Sequence, residues 1–308
     1  MKKIILTLFT LIALISFNYS IEKKEKPKVC ITFDDGSVND MSVYTSAVWN
    51  DMLLQTLQKH KLQTVFFAAG NPLDNEKGRT VLELWSKQGH WISNHTYSHK
   101  SYGISATTYD FFTADFLRND SLINKYKTYA KLFRFPYLKE GDTKEKRDEF
   151  RAFLESQGYR NGYVTIDASD WYVNSRLLKR LKENPKADIN GYKKFYLQHI
   201  FERATYYNNL SLKITGRQIT HSLLLHHNLT SALFMDDLIK MFKEKGWEVV
   251  NASEAYKDEI YKKSPNVIPA GESLIWALAK ESGLYENELR YPAEDSKYEE
   301  DKMNTLGL

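Results

Sequence analysis

Asp34 and Asp35 stand side by side where the apolar run CITF ends, and His95 and His99 lie four apart in HTYSH. A turn explains one aspartate at a strand end, but two adjacent carboxylates repel each other and call for a reason. One carboxylate and two imidazoles make a three-ligand set with a position left open for water, the arrangement that metal-assisted hydrolysis requires. The second carboxylate can then serve as the base that takes the water's proton. Neither pair is informative alone. A His-x-x-x-His pair is more often structural, and Asp-Asp is more often a turn or a helix cap. If HTYSH turns helical, its two imidazoles fall on one face about one turn apart.

The elements that must position these groups alternate. KVCITF, QTVFFAAG and HWISN read as strands, with amphipathic helices at DMLLQTLQKH and RTVLELWSKQG between them. Further on, KLFRFPY, YVTID, HSLLLHH and WEVV read as strands, with helices at KEKRDEFRAFLESQG and ALFMDDLIKMFKEKG. Such alternation predicts a parallel sheet covered by helices, either a barrel or a doubly wound sheet, and functional groups collect at the C-terminal ends of such strands. Residues 172–220 form a polar, helix-prone insertion, and the tail after Val250 grows acidic and reads as a solvated cap packed on the domain.

Five ordered motifs sit at these strand ends: TFDDG at Thr32 to Gly36, HTYSH at His95 to His99, RFPY at Arg134 to Tyr137, DASDW at Asp167 to Trp171, and LLLHH at Leu223 to His227. In this order they resemble the polysaccharide deacetylases of carbohydrate esterase family 4, which share the NodB-homology domain. The resemblance covers roughly Lys28 to Tyr256 and implies an α/β fold, a distorted (β/α) barrel, here with a helical insertion before the last motif and a C-terminal extension. It implies a catalytic domain over residues 28–256 and an extension over 257–308. By the same resemblance Asp34 is the catalytic base and Asp35, His95 and His99 are the metal ligands. Arg134 holds Asp34, the Tyr137 backbone N–H contacts the oxyanion, and His226 is the general acid, held and tuned by Asp170. Leu224 and Trp171 wall the pocket for the acetyl methyl group.

The cofactor implied is one divalent metal, zinc first, with cobalt, nickel or manganese also suited to two histidines and a carboxylate. The partner implied is an acetylated glycan: chitin, peptidoglycan, poly-N-acetylglucosamine or xylan. A small non-sugar amide as substrate and a catalytically inactive glycan-binding protein are the alternatives. Two departures from the family pattern stand out. Leu138 replaces the glycine that usually follows RxPY, and His226-His227 replaces His-Asp; strand alternation sends one of that pair to the site, and the spacing from Leu224 favours His226. Asp167 reads as a strand-end residue, His90 and Asn94 as structural, and His60, His199 and His221 as ordinary surface or packing residues.

Composition bounds the partners. The chain has 308 residues, 42% of them hydrophobic, enough for one large domain or two modest ones. Its net charge of +4 is too slight to argue for nucleic acid or an anionic membrane. Residues 1–20 open with two lysines and an apolar run from Ile4 to Phe17, the pattern of a secretory signal peptide. That run falls short of the roughly 20 residues a membrane span needs, so no stable span is expected after cleavage. The expected location is periplasmic or extracellular. Cys30, the one cysteine, leaves no internal disulfide and reads as a buried inert thiol.

Overall fold

The computed structural model describes residues 25–289 and 296–308; the expected signal segment lies outside them. Nine strands are described: β1 (Lys28–Asp35), β2 (Val65–Ala68), β3 (Trp91–Asn94), β4 (Tyr129–Phe133), β5 (Lys139–Gly141), β6 (Arg160–Asn161), β7 (Thr220–His226), β8 (Glu248–Val249) and β9 (Ala270–Gly271). The principal sheet is parallel throughout, in the order β6-β4-β3-β2-β1-β7. Val29 to Phe33 are buried on both faces of β1, which is why this strand reads as an unbroken apolar run. It stops at Asp35 (φ 73°) and Gly36 (φ 120°), where a Cβ on Gly36 would stand 2.6 Å from the Leu73 side chain.

The sheet is a distorted (β/α) barrel, as the motif resemblance implies, where the alternation by itself left a barrel and a doubly wound sheet open. Its closure differs from the expectation in one place. YVTID does not form a strand of its own; Ile166 makes a single parallel bridge to Leu223, supported by Thr165 and Ile166 N–H groups donating to Ser222 O and Leu224 N–H donating to Ile166 O. One stretch of chain thus leaves the β6 edge and lands on β7, and backbone groups that would otherwise be buried unpaired are satisfied by closing the barrel.

Helices α1 (Ser46–Lys59), α2 (Gly70–Leu73), α3 (Glu76–Lys87), α4 (Tyr109–Ile123), α5 (Lys144–Ser156), α6 (Asp170–Glu183), α7 (Asn190–Thr215), α8 (Leu229–Glu244), α9 (Ala252–Ala255), α10 (Leu274–Ser282) and α11 (Glu300–Thr305) cover the sheet. Thr45, Asn75, Thr108, Thr143 and Asn228 cap α1, α3, α4, α5 and α8, each side chain accepting an amide three residues on. Each such cap contributes about 1 kcal/mol. The helix-prone insertion is α6 and α7, and α7 packs against α6, α8 and α10.

The tail is not a solvated cap. Leu274, Ile275, Ala279 and Met303 are buried in the main core, and β9 pairs with β5. Periodicity after Val250 is too broken to show this, because the buried residues come from short, separate pieces. Cys30 is buried as expected, and that burial pushes its thiol up to about 12. Among the described residues no helix is long and apolar enough to cross a membrane.

Candidate active site

Parallel pairing builds the site. Thr32 and Asp34 of β1 stand in register with Leu224 and His226 of β7, so all four side chains share one face of the sheet at its C-terminal end. The next residue on each strand, Asp35 or His227, leaves that row. Asp35 does so through its left-handed backbone, which swings its carboxylate toward the β3 loop.

His95 follows β3 directly, but HTYSH is not helical. Thr96 (φ 61°) and His99 (φ 54°) are left-handed, and a tight loop brings the two imidazoles to one place with their ring centroids 4.9 Å apart. The helical arrangement, which the spacing left open, is not the one the chain adopts. What enforces the loop is α4, a helix the sequence reading did not pick out. Asn119 Nδ2 donates to Asn94 Oδ1 (2.9 Å), Asn94 Oδ1 also accepts the Thr96 N–H (2.9 Å), and the Asp115 carboxylate accepts the Ser98 N–H (2.9 Å). Asn94 is structural, as expected; Asp115 and Asn119 carried no signal in the sequence because nothing marked α4 as the loop's support.

Asp35 Oδ1 lies 3.1 Å from His99 Nε2 and 3.5 Å from His95 Nε2, and one ligand atom from each of the three residues falls within 4.8 Å of the others. Asp35 Oδ1 is itself buried and has no donor in hydrogen-bonding alignment. Burial opposes ionisation of Asp35, but the two imidazoles against its oxygen outweigh burial and hold the carboxyl well below the usual carboxylate range. His95 Nδ1 donates to the Arg134 carbonyl at 2.7 Å, which fixes the tautomer and leaves the Nε2 lone pair facing the cluster. These residues fit a divalent cation: two imidazole nitrogens, one ionised carboxylate, and an oxygen that lacks a proper partner.

Asp34 is buried beside this cluster, its Oδ2 3.8 Å from His95 Nε2. Its Oδ1 accepts Arg134 Nη1 at 2.5 Å. Arg134 is fixed at every nitrogen: Nε donates to Gly162 O (2.9 Å), Nη1 also to Thr32 Oγ1 (2.9 Å), and Nη2 to the Tyr256 hydroxyl (3.2 Å). Its guanidinium lies 3.8 Å from the centre of the Phe67 ring, a desolvated cation–π contact. Tyr256 and Phe67 were not foreseen, and only the fold brings them to Arg134.

Across the cavity, His226 Nδ1 donates to Asp170 Oδ1 (2.6 Å), and the His226 backbone N–H and Asn228 Nδ2 both donate to Asp170 Oδ2 (2.9 and 3.0 Å). Asp170 opens α6 and is fully buried. Burial alone would lower the His226 pKa, but the Asp170 carboxylate, helped by Asp35 and Asp34, raises it to about 10. His227 faces the opposite side. It accepts the Ser37 N–H at Nδ1 (3.2 Å), donates from Nε2 to Asn50 Oδ1 (2.9 Å), packs against Trp49, Trp85 and Phe66, and is pushed by burial down to about 3. The choice of His226 over His227 for the site face therefore agrees with the geometry. His199, read as ordinary, accepts the Ser169 N–H (3.3 Å) just before Asp170, so the insertion helix α7 props the start of α6.

Asp34, Asp35, His95, His99 and His226 line one cavity of about 370 Å³, together with Tyr137, Leu138, Asp167, Ala168, Trp171 and Leu224. Asp167, read as a strand-end residue, is part of this lining. Tyr137 stands at the rim, 48% exposed, with its ring 4.7 Å from that of His99. Leu138 packs against Val164 and Leu224.

Residues 21–161 match the polysaccharide deacetylase family. Over that stretch the chain is similar to polysaccharide deacetylases. A peptidoglycan-N-acetylglucosamine deacetylase of Bacillus cereus is 26% identical over 147 residues, 47% of each chain. The chain spans about half the length of the curated relatives it matches. Among solved structures, a polysaccharide deacetylase from Bacillus cereus superposes with a TM-score of 0.54 at 20% identity, over 79% of this chain and 97% of that one. A carbohydrate esterase family 4 pseudoenzyme from Bacillus anthracis superposes with a TM-score of 0.53 at 17% identity, over 75% and 66% of the two chains. These two likenesses speak to the deacetylase fold alone, since one neighbour is described as an enzyme and the other as a pseudoenzyme.

Proposed function

We propose that this chain is an exported, metal-dependent hydrolase that removes acetyl groups from an N-acetylated or O-acetylated glycan, with an amino-sugar polymer such as peptidoglycan foremost. The observation that carries this reading is the facing arrangement in one cavity: Asp34 and the Asp35–His95–His99 cluster on one side, His226 on Asp170 on the other. The name of the Bacillus cereus relative supports the amino sugar. Export rests on the N-terminal apolar segment, and the catalytic unit is residues 28–256 with the extension 257–308 packed on it.

Asp35, His95 and His99 would hold a divalent cation, zinc in the first instance, and the chemistry it would supply is Lewis acidity toward the acyl carbonyl and toward water. Asp34 takes the proton from the attacking water at Oδ2, because Arg134 occupies Oδ1 and fixes the carboxylate's aim. The Tyr137 N–H donates to the oxygen that gains charge as the carbonyl carbon becomes tetrahedral. His226 delivers the Nε2 proton to the departing nitrogen as the C–N bond breaks, leaving acetate and a free amine, while Asp170 holds Nδ1. Leu224 and Trp171 enclose the acetyl methyl group.

The test is acetate release from a panel of acetylated glycans by the purified chain, with zinc or with chelator, beside Asp34→Asn. Chelator-sensitive release that vanishes in Asp34→Asn is the expected result. Zinc binding without release from any glycan would overturn the glycan deacetylase reading and favour a small amide substrate or a binding role.

A further inference from the structure

The turn that carries Tyr137 holds two consecutive left-handed residues, Tyr137 (φ 55°) and Leu138 (φ 56°), neither of them glycine. Side-chain-bearing residues keep that conformation only where their surroundings over-determine it. The local chain supplies two bonds, Leu138 N–H to Phe135 O at 3.0 Å and Lys139 N–H to Pro136 O. Further restraint comes from the C-terminal extension. Glu272 N–H donates to Leu138 O (3.0 Å), β9 pairs with β5 so that Gly271 faces Lys139 and Ala270 faces Gly141, and the Lys139 ammonium is ion-paired with the Glu272 carboxylate. The approach is backbone on backbone: a Cβ at Gly271 (φ 129°) would stand 1.9 Å from Leu138 O. The same segment then grips the cavity wall, with Ser273 Oγ donating to Thr165 O (3.0 Å) and Leu274 N–H donating to Val164 O (2.7 Å), beneath the packed side chains of Leu138, Val164 and Leu224.

We propose that the C-terminal extension is a working part of the active site: residues 270–274 clamp the Tyr137–Leu138 turn, and Gly271 and Glu272 are positioning residues that aim the Tyr137 backbone N–H into the cavity. The clamp also accounts for Leu138 standing where the motif resemblance has glycine, since the extension enforces the turn and the leucine is free to build the wall. This inference rests on the deacetylase reading for its catalytic consequence, but the clamp itself can be read without activity.

The experiment compares the full chain with Gly271→Ala and Glu272→Gln, measuring kcat and KM for acetate release, zinc affinity, and hydrogen exchange of the amides from Tyr137 to Gly141. Removing an oxyanion donor outright costs about 10²–10³ in kcat, so a displaced donor in Gly271→Ala should cost about 10–100-fold. KM and zinc affinity should stay within about threefold while exchange across the turn accelerates. Glu272→Gln leaves the backbone pairing intact and should lower kcat by about 3–10-fold at unchanged KM; it carries the test if Gly271→Ala does not fold. Wild-type kcat in both variants, or a loss of zinc affinity in step with kcat, overturns the proposal. A wild type that releases no acetate removes the deacetylase reading, whereas unchanged exchange from Tyr137 to Gly141 in Gly271→Ala removes the clamp.

Discussion

The two sides of the cavity are built in opposite ways. On the His226 side, every oxygen of Asp170 has an aligned donor, and the pair is complete as folded. On the Asp35 side, three ligand atoms crowd together around an oxygen with no aligned partner, beside a second buried carboxylate. A buried carboxylate with its hydrogen bonds made is a positioning device, whereas a buried cluster left short of donors is a place for a cation.

The sharpest way to break this comparison is to remove a ligand. His95→Ala should abolish tight zinc binding and bring acetate release to background. It should also abolish the thermal stabilisation that zinc gives the wild type, about 2.7 kcal/mol at a hundredfold excess over Kd. Titration calorimetry and thermal melts with and without zinc check this. Asp34→Asn should come next, lowering kcat about 10³-fold or more while zinc affinity stays within a few-fold, if Asp34 serves as the proposed base beside the cluster and not as a member of it. If zinc affinity collapsed in Asp34→Asn, the separation between base and ligand would be wrong.

Asp170→Asn tests the complete side. Its kcat should fall about 10²–10³-fold. The alkaline limb of kcat/KM, set in the wild type by an imidazole raised to about 10, should move down toward the ordinary histidine value near 6.5. The sign for stability follows. A histidine whose pKa is raised on folding stabilises fully below about 6.5 and loses that contribution as pH climbs toward 10. Asp170→Asn should therefore flatten the fall in stability over that window, read from denaturation midpoints at several pH values. The smallest functional effect belongs to His227→Phe. Activity should stay within about threefold, while the stranded Ser37 N–H and the loss of one of the two bonds at Asn50 Oδ1, which keeps Trp85 Nε1–H, cost about 1–3 kcal/mol in stability. A large loss of kcat there would mean that the roles of the two histidines had been assigned to the wrong faces.

Much of the site was legible because it lies at strand ends whose pattern is local. Asp34, Asp35 and His226 close apolar runs that read as buried strands, and strand alternation with the spacing from Leu224 selects His226 over His227. For the stretch from His95 to His99 spacing alone cannot tell a helical turn from a tight loop, and the sequence leaves the helical case open; α4, through Asn119 and Asp115, decides for the loop. Tyr256, His199 and Glu272 stayed hidden for a related reason. Each acts on a group far away in the chain, through one hydrogen bond that leaves no periodic trace.

The amino-acid sequence by itself determined the alternating parallel architecture and that Asp34, Asp35, His95 and His226 stand at strand ends, since these depend on residue type, order and a two-residue period. Tertiary structure alone decided that Arg134 is pinned at every nitrogen, that the barrel closes through residues 163–166, and that the tail reaches back to hold the Tyr137 turn. Those features are contacts between distant segments, fixed only when burial and backbone hydrogen bonding are satisfied for the whole chain together.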